Sequence, residues 1–129
     1  MLKPNNSIDS DTTQQRQQVL TKALVSAADI MELRQVTLAK TLGVSEASVS
    51  RMKTGGYLLK AAGKEWELAA LLVRLFRSLD AIMAGDERSL RSWLQSYNTA
   101  LGESPINLIT SVTGLAKTVN YVDAYRARV

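Results

Sequence analysis

The sequence predicts an all-α protein of about seven helices, with a helix-turn-helix in its first half. Three observations predict it. Aromatic residues make up only 5% of the 129 residues and there are two prolines, a profile that suits helices packed through Leu, Ala, Val and Ile. Apolar residues recur at helical spacing in one stretch after another. Between those stretches fall the residues that cap or break helices.

Residues 1–12 are polar, with Pro4, Asn5, Asn6, Ser7, Asp9, Ser10 and Asp11, and read as a disordered arm. From about Thr13 to Leu33 the apolar residues Leu20, Ala23, Leu24, Ala27, Ile30 and Met31 predict an amphipathic helix with Gln and Arg on its other face. Residues 35–54 predict the helix-turn-helix. Leu38, Ala39 and Leu42 form one apolar edge, and Gly43 follows where the chain must bend through a positive φ. Ser45 then caps a second helix that buries only Val49 and Met52. Gly55-Gly56 ends the module, Tyr57-Leu58-Leu59 tucks under it, and the boundary between two halves, 13–60 and 61–129, falls beside Lys60.

The second half opens with a helix from about Lys64 to Ala84. It is apolar on nearly every side, with Arg74, Arg77, Ser78 and Asp80 as exceptions. Such a helix needs burial on more than one face, as a central helix or as a seam between two copies. Gly85-Asp86 breaks it, and Asp86 caps a helix over 87–101 carrying Leu90, Trp93, Leu94, Tyr97 and Leu101. Ser104-Pro105 starts a short helix through Val112. Thr113-Gly114 is expected to break it before a last helix along Leu115, Val119, Val122 and Arg126, flanked by Tyr121 and Tyr125.

Composition excludes much chemistry. Without Cys there is no thiolate nucleophile, disulfide or thiolate zinc site, and without His the commonest general base and metal ligand is missing. Ser45, Ser48 and Ser50 have no imidazole to activate them, and there is no glycine-rich phosphate loop. No enzyme activity, metal or cofactor is expected. No apolar run approaches a membrane span and no signal-peptide core opens the chain, so a cytoplasmic protein without membrane contact is expected.

The charge points to nucleic acid. Residues 33–64 carry six cationic side chains against Glu46 alone, whereas the chain before them is slightly acidic and the chain after them balanced. Cationic charge concentrated on one group of elements is what phosphate neutralisation needs. Arg51 and Lys53 are long enough to reach guanine or phosphate, while Gln35 and Ser45 stand at helix starts suited to gripping phosphate. Glu46, Ala47, Ser48 and Ser50 complete a polar, short-chained face, on which Glu46 suits a cytosine amino group and Ala47 a thymine methyl. Helix-turn-helix readers usually bind as dimers, which gives the apolar second half a reason to self-associate.

The spacing Gln35-x-x-Leu38-Ala39-x-x-Leu42-Gly43-Val44-Ser45-x-x-x-Val49-Ser50-Arg51 resembles the Xre family of phage-repressor-like regulators. The resemblance implies Gln35 as a phosphate contact and Glu46, Ala47, Ser48 and Arg51 as the reading face. Beyond residue 60, Trp93-Leu94, Asn98, Leu101-Gly102, Pro105-Ile106, Leu108, Gly114 and Val119 look like the toxin-binding domain of the Xre/MbcA/ParS antitoxins. That likeness implies a RES-domain, NAD-consuming toxin as partner, held by a C-terminal segment that covers its active site. It also implies repression of the operon through operator DNA, by a homodimer within a larger toxin–antitoxin complex. Carried onto this chain, the toxin-facing residues are Lys117, Asn120, Tyr121, Asp123, Ala124, Tyr125, Arg126 and Arg128, with Arg126 and Arg128 suited to a pyrophosphate cleft. The competing reading is a stand-alone regulator whose second half only dimerises.

Overall fold

The computed structural model describes residues 6–128, and within them the chain forms seven helices. These are α1 (Asn6–Ile30), α2 (Gln35–Leu42), α3 (Glu46–Lys53), α4 (Lys64–Ile82), α5 (Glu87–Gln95), α6 (Pro105–Leu108) and α7 (Val112–Arg128). No strand forms among the described residues; Asn98 and Glu103 make one isolated antiparallel bridge.

The first helix departs from expectation. Of the arm expected over 1–12, the first five residues lie outside the described residues, and from Asn6 onward the backbone is already helical. At its other end α1 stops at Ile30. Glu32 takes a positive φ of 55°, and the Leu33 N–H turns back to the Ala28 carbonyl at 3.0 Å.

The helix-turn-helix forms as the sequence dictates. Gly43 ends α2 in the left-handed region at φ 70°, and the Ser45 side chain accepts the Ser48 N–H at the start of α3. Leu38, Leu42, Val49 and Met52 are buried together. The loop after α3 is pinned to α1 from two sides. The Leu59 N–H donates to Thr21 Oγ1 at 3.0 Å, and Gln17 Nε2 donates to the Leu59 carbonyl at 2.9 Å. Leu59 itself is fully buried. Beyond it, one carboxylate of α4, Glu65, accepts both the Tyr57 hydroxyl and the Lys60 N–H.

The apolar helix α4 is the central one. It packs against α1, α2, α5 and α7. Leu72, Leu75 and Leu79 are fully buried, and one continuous core runs from Leu24 of α1 to Val122 of α7. Much of the burial that its composition demands is therefore met within the chain. A further tie joins the halves: Arg91 of α5 donates through Nε to the Ile30 carbonyl at 2.8 Å, placing a cation at the negative end of α1.

Two elements of the second half differ from expectation. The helix expected over 87–101 ends at Gln95. The Asn98 side chain accepts the Leu101 N–H at 3.0 Å, and the Asn98 N–H and carbonyl pair with Glu103 and Gly102. This local hydrogen bonding competes with continuation of the helix. Gly114, expected to break the chain between two helices, lies inside α7 and is buried there. A Cβ at this position would run into the Leu108 carbonyl oxygen, so glycine is needed for close backbone approach rather than for a break.

Candidate nucleic-acid interface and C-terminal binding face

Two surfaces carry the residues that sequence singled out. The first is the exposed side of α3. Val49, Met52 and Ser48 are buried, and the remaining residues fan outward. Glu46, Ala47, Ser50, Arg51 and Lys53 are all exposed, as is Ser45 at the cap. Acidic Glu46 stands in the first turn and basic Arg51 and Lys53 in the last, an arrangement that also favours the helix itself.

Two expected contacts are placed differently. Ser48, expected on the reading face, is only 8% exposed. Its hydroxyl lies 2.9 Å from that of Ser45, and its N–H donates to Ser45 Oγ at 3.0 Å, so it belongs to the cap. Buried hydroxyls need partners, and this one finds its partner one turn back. Gln35, expected to grip phosphate, is half-buried and gives one of its two amide N–H groups to the Glu46 carbonyl at 2.8 Å. It thereby ties the start of α2 to the start of α3. What α3 offers a groove is a short row of exposed side chains on a rigidly held helix, ending in two cations.

The second surface is the C-terminal half of α7, where the helical repeat divides the expected residues into two sets. Lys117, Asn120, Ala124, Tyr125 and Arg128 are exposed, and Tyr121 is half-buried beside them. At about 100° per residue these six share one side of the helix, opposite the buried Leu115, Val119 and Val122. Lys117 is anchored, donating from Nζ to the Leu101 carbonyl at 2.9 Å. Tyr121 and Tyr125 border a small apolar hollow with Trp93, Ile82 and Met83.

Asp123 and Arg126 lie on the other side and are engaged by α4. Asp123 forms an ion pair with Arg74 at 2.6 Å and accepts the Ser78 hydroxyl at 3.2 Å. Arg126 reaches the same hydroxyl at 3.3 Å. Arg126, expected to enter a partner's cleft, thus reaches back to this chain, while Arg128 is exposed on the opposite side of the helix. Sequence reasoning missed Arg74 and Ser78 as the partners that fix the end of α7. The available signal was their position as polar exceptions on an otherwise apolar helix.

Among the described residues no cluster of three or more His, Cys, Asp or Glu side chains could hold a metal ion, and no helix is long and apolar enough to cross a membrane.

Comparison with known families gives two successive matches. Residues 12–74 match the family model of the antitoxin Xre-like helix-turn-helix domain. Residues 78–128 match that of the antitoxin Xre/MbcA/ParS C-terminal toxin-binding domain. No curated protein matches the chain. The gap between the two matches falls inside α4, which runs unbroken from Lys64 to Ile82.

Proposed function

Because the chain belongs to the Xre-type antitoxins of type II toxin–antitoxin systems, we propose that its C-terminal segment neutralises a RES-domain, NAD-consuming toxin by covering that enzyme's active site, and that its helix-turn-helix represses its own operon. The observation that carries the first part is the exposed side of α7 within the matched toxin-binding domain, where Asn120, Ala124, Tyr125 and Arg128 are exposed and Tyr121 is half-buried beside them. Two tyrosines beside a cation at a helix end are the residue types that anchor protein interfaces. Arg128 is the cation suited to the pyrophosphate region of an NAD-binding cleft. Occlusion needs no catalysis from the antitoxin, and none of its residues is assigned a catalytic role.

The second part rests on α3 and on the cationic excess of residues 33–64. A dimer in the cytoplasm, alone or within the toxin–antitoxin complex, places two copies of α3 on a palindromic operator. Ser45, Glu46, Ala47, Ser50, Arg51 and Lys53 make the contacts, with Ser48 in the cap of α3 and Gln35 tying the start of α3 to the start of α2.

The test is co-elution of the chain with the toxin encoded beside it, together with an assay of NAD consumption. Wild-type chain is expected to bind the toxin and stop turnover. Ala124→Arg, which puts a long side chain on the exposed side of α7, is expected to restore turnover while leaving helix content and operator binding intact. Turnover that stays suppressed by Ala124→Arg removes this side of α7 from the interface. Failure of the wild-type chain to bind returns the protein to a stand-alone regulator.

A further inference from the structure

Between α1, α4 and α7 runs an open groove of about 790 Å³, separate from the exposed side of α3 and from the exposed side of α7. Four guanidinium groups line it: Arg16 of α1, Arg74 and Arg77 of α4, and Arg126 of α7. One carboxylate lies among them, Asp123, already engaged by Arg74 and Ser78. Arg77 is exposed and forms no ion pair among the described residues. Arg16 stacks over Trp66, 5.5 Å from the ring centroid. Val19 lines the groove as well, 69% exposed, the barest large hydrophobic side chain among the described residues.

This combination narrows the occupant. A small free anion would use the guanidinium groups and leave Val19 and Trp66 wet. A wholly apolar segment would cover Val19 while desolvating cations without a partner, which is costly. A polypeptide segment with carboxylates around one apolar side chain satisfies both, in the manner of an amphipathic segment laid into a groove. Duplex DNA seated on α3 does not compete for the space. Around the α1 axis, Arg16, Val19 and Ala23 lie roughly 120° from Gln18, Lys22 and Val25, the flank beside the end of α3 and the loop after it.

The groove is also continuous with the toxin-facing end of the chain. Asp123 and Arg126 line it on one side of α7, while Asn120, Ala124 and Arg128 project from the other. One partner straddling the end of α7 meets both. We propose that this groove docks an acidic segment of the toxin carrying one apolar anchor, as a second contact beyond the covered active site. The proposal rests on the reading of the chain as the antitoxin of that toxin. It assigns affinity, and its salt dependence, to the groove, and active-site occlusion to the exposed side of α7.

The experiment uses the full chain and the toxin encoded beside it. Arg16→Glu/Arg77→Glu and, separately, Val19→Ser are compared with wild type by titration calorimetry at low and moderate salt, and by inhibition at saturating antitoxin. All three positions are exposed, and unchanged circular dichroism and melting confirm the fold. The charge reversal is expected to weaken binding by at least about tenfold at low salt, with the gap narrowing as salt rises. Val19→Ser is expected to weaken binding several-fold at both salt levels. Both variants should still inhibit fully at saturation, because α7 is untouched. Wild-type affinity in both variants overturns the docking proposal and leaves the antitoxin reading standing. Sedimentation showing that the variants break up a homodimer without losing toxin affinity also overturns it, assigning the groove to a second copy of the chain. A wild-type chain that fails to bind the toxin overturns both readings.

Discussion

The phenol of Tyr57 donates to both carboxylate oxygens of Glu65, at 2.8 and 3.0 Å. The same carboxylate accepts the Lys60 N–H at 3.0 Å, so one side chain at the start of α4 gathers the whole loop that follows the helix-turn-helix. Partial burial holds the Tyr57 pKa above its ordinary value of 10.0, and the hydrogen bond and negative charge of Glu65 push it further in the same direction, against the opposing charge of Arg51. The folded chain therefore binds the phenolic proton more tightly than the unfolded chain does. The stability this contributes is complete below pH 10.0 and is lost as pH rises through the higher folded value. Tyr57→Phe is expected to cost about 1 kcal/mol at neutral pH, the worth of a typical hydrogen bond. Thermal melts on both sides of pH 10.0 should show wild type losing its advantage over Tyr57→Phe as the phenol ionises. An advantage that persists at high pH would mean that packing, not this hydrogen bond, holds the loop.

Gly114 gives a steric prediction. A methyl group there meets the Leu108 carbonyl, a backbone atom that cannot swing aside, and the Ser111 hydroxyl as well. Gly114→Ala should raise intrinsic helix propensity in α7 and yet destabilise the protein, by about 1–3 kcal/mol as α6 is forced away. Chemical denaturation measures it. A stability equal to or above wild type would show that α6 moves freely relative to α7.

The turn of the helix-turn-helix separates folding from reading. Ser45→Ala removes the cap of α3 and the partner of the Ser48 hydroxyl, and should cost about 1 kcal/mol of stability along with operator affinity. Arg51→Ala removes an exposed side chain and should leave stability nearly unchanged while weakening operator binding by about 1–3 kcal/mol. Melting curves and operator titrations on both variants distinguish them. If Arg51→Ala binds the operator as wild type does, the cationic end of α3 faces away from the groove.

Much of the fold was legible because local chemistry and burial agree. Gly43 and Ser45 each satisfy a backbone requirement that sequence alone exposes, so α2 and α3 were placed almost to the residue. Asp86, which accepts the Ser89 N–H, marked the start of α5 for the same reason. Gly114 was misread because a glycine that permits close approach looks the same in sequence as one that breaks a helix. Asn98 ended α5 early through a side-chain hydrogen bond that periodicity does not register. The surroundings of the two candidate faces were legible only in outline. A list of polar residues on α3 does not say that Ser48 is turned inward. A list on α7 does not say that Asp123 and Arg126 are taken by α4. Those assignments depend on which neighbour each helix face meets, which is settled by tertiary packing.

The unbroken run of α4 through the junction of the two family matches has a consequence for the lifetime of the protein. Nineteen residues of helix form a rod of about 28 Å that supplies core to both halves. Neither half can be peeled away without baring the apolar side of the other. Cleavage or local melting within α4 would therefore disrupt the helix-turn-helix domain and the toxin-binding domain together. A cut anywhere in this one helix opens the shared core and leaves neither matched domain with its packing complete.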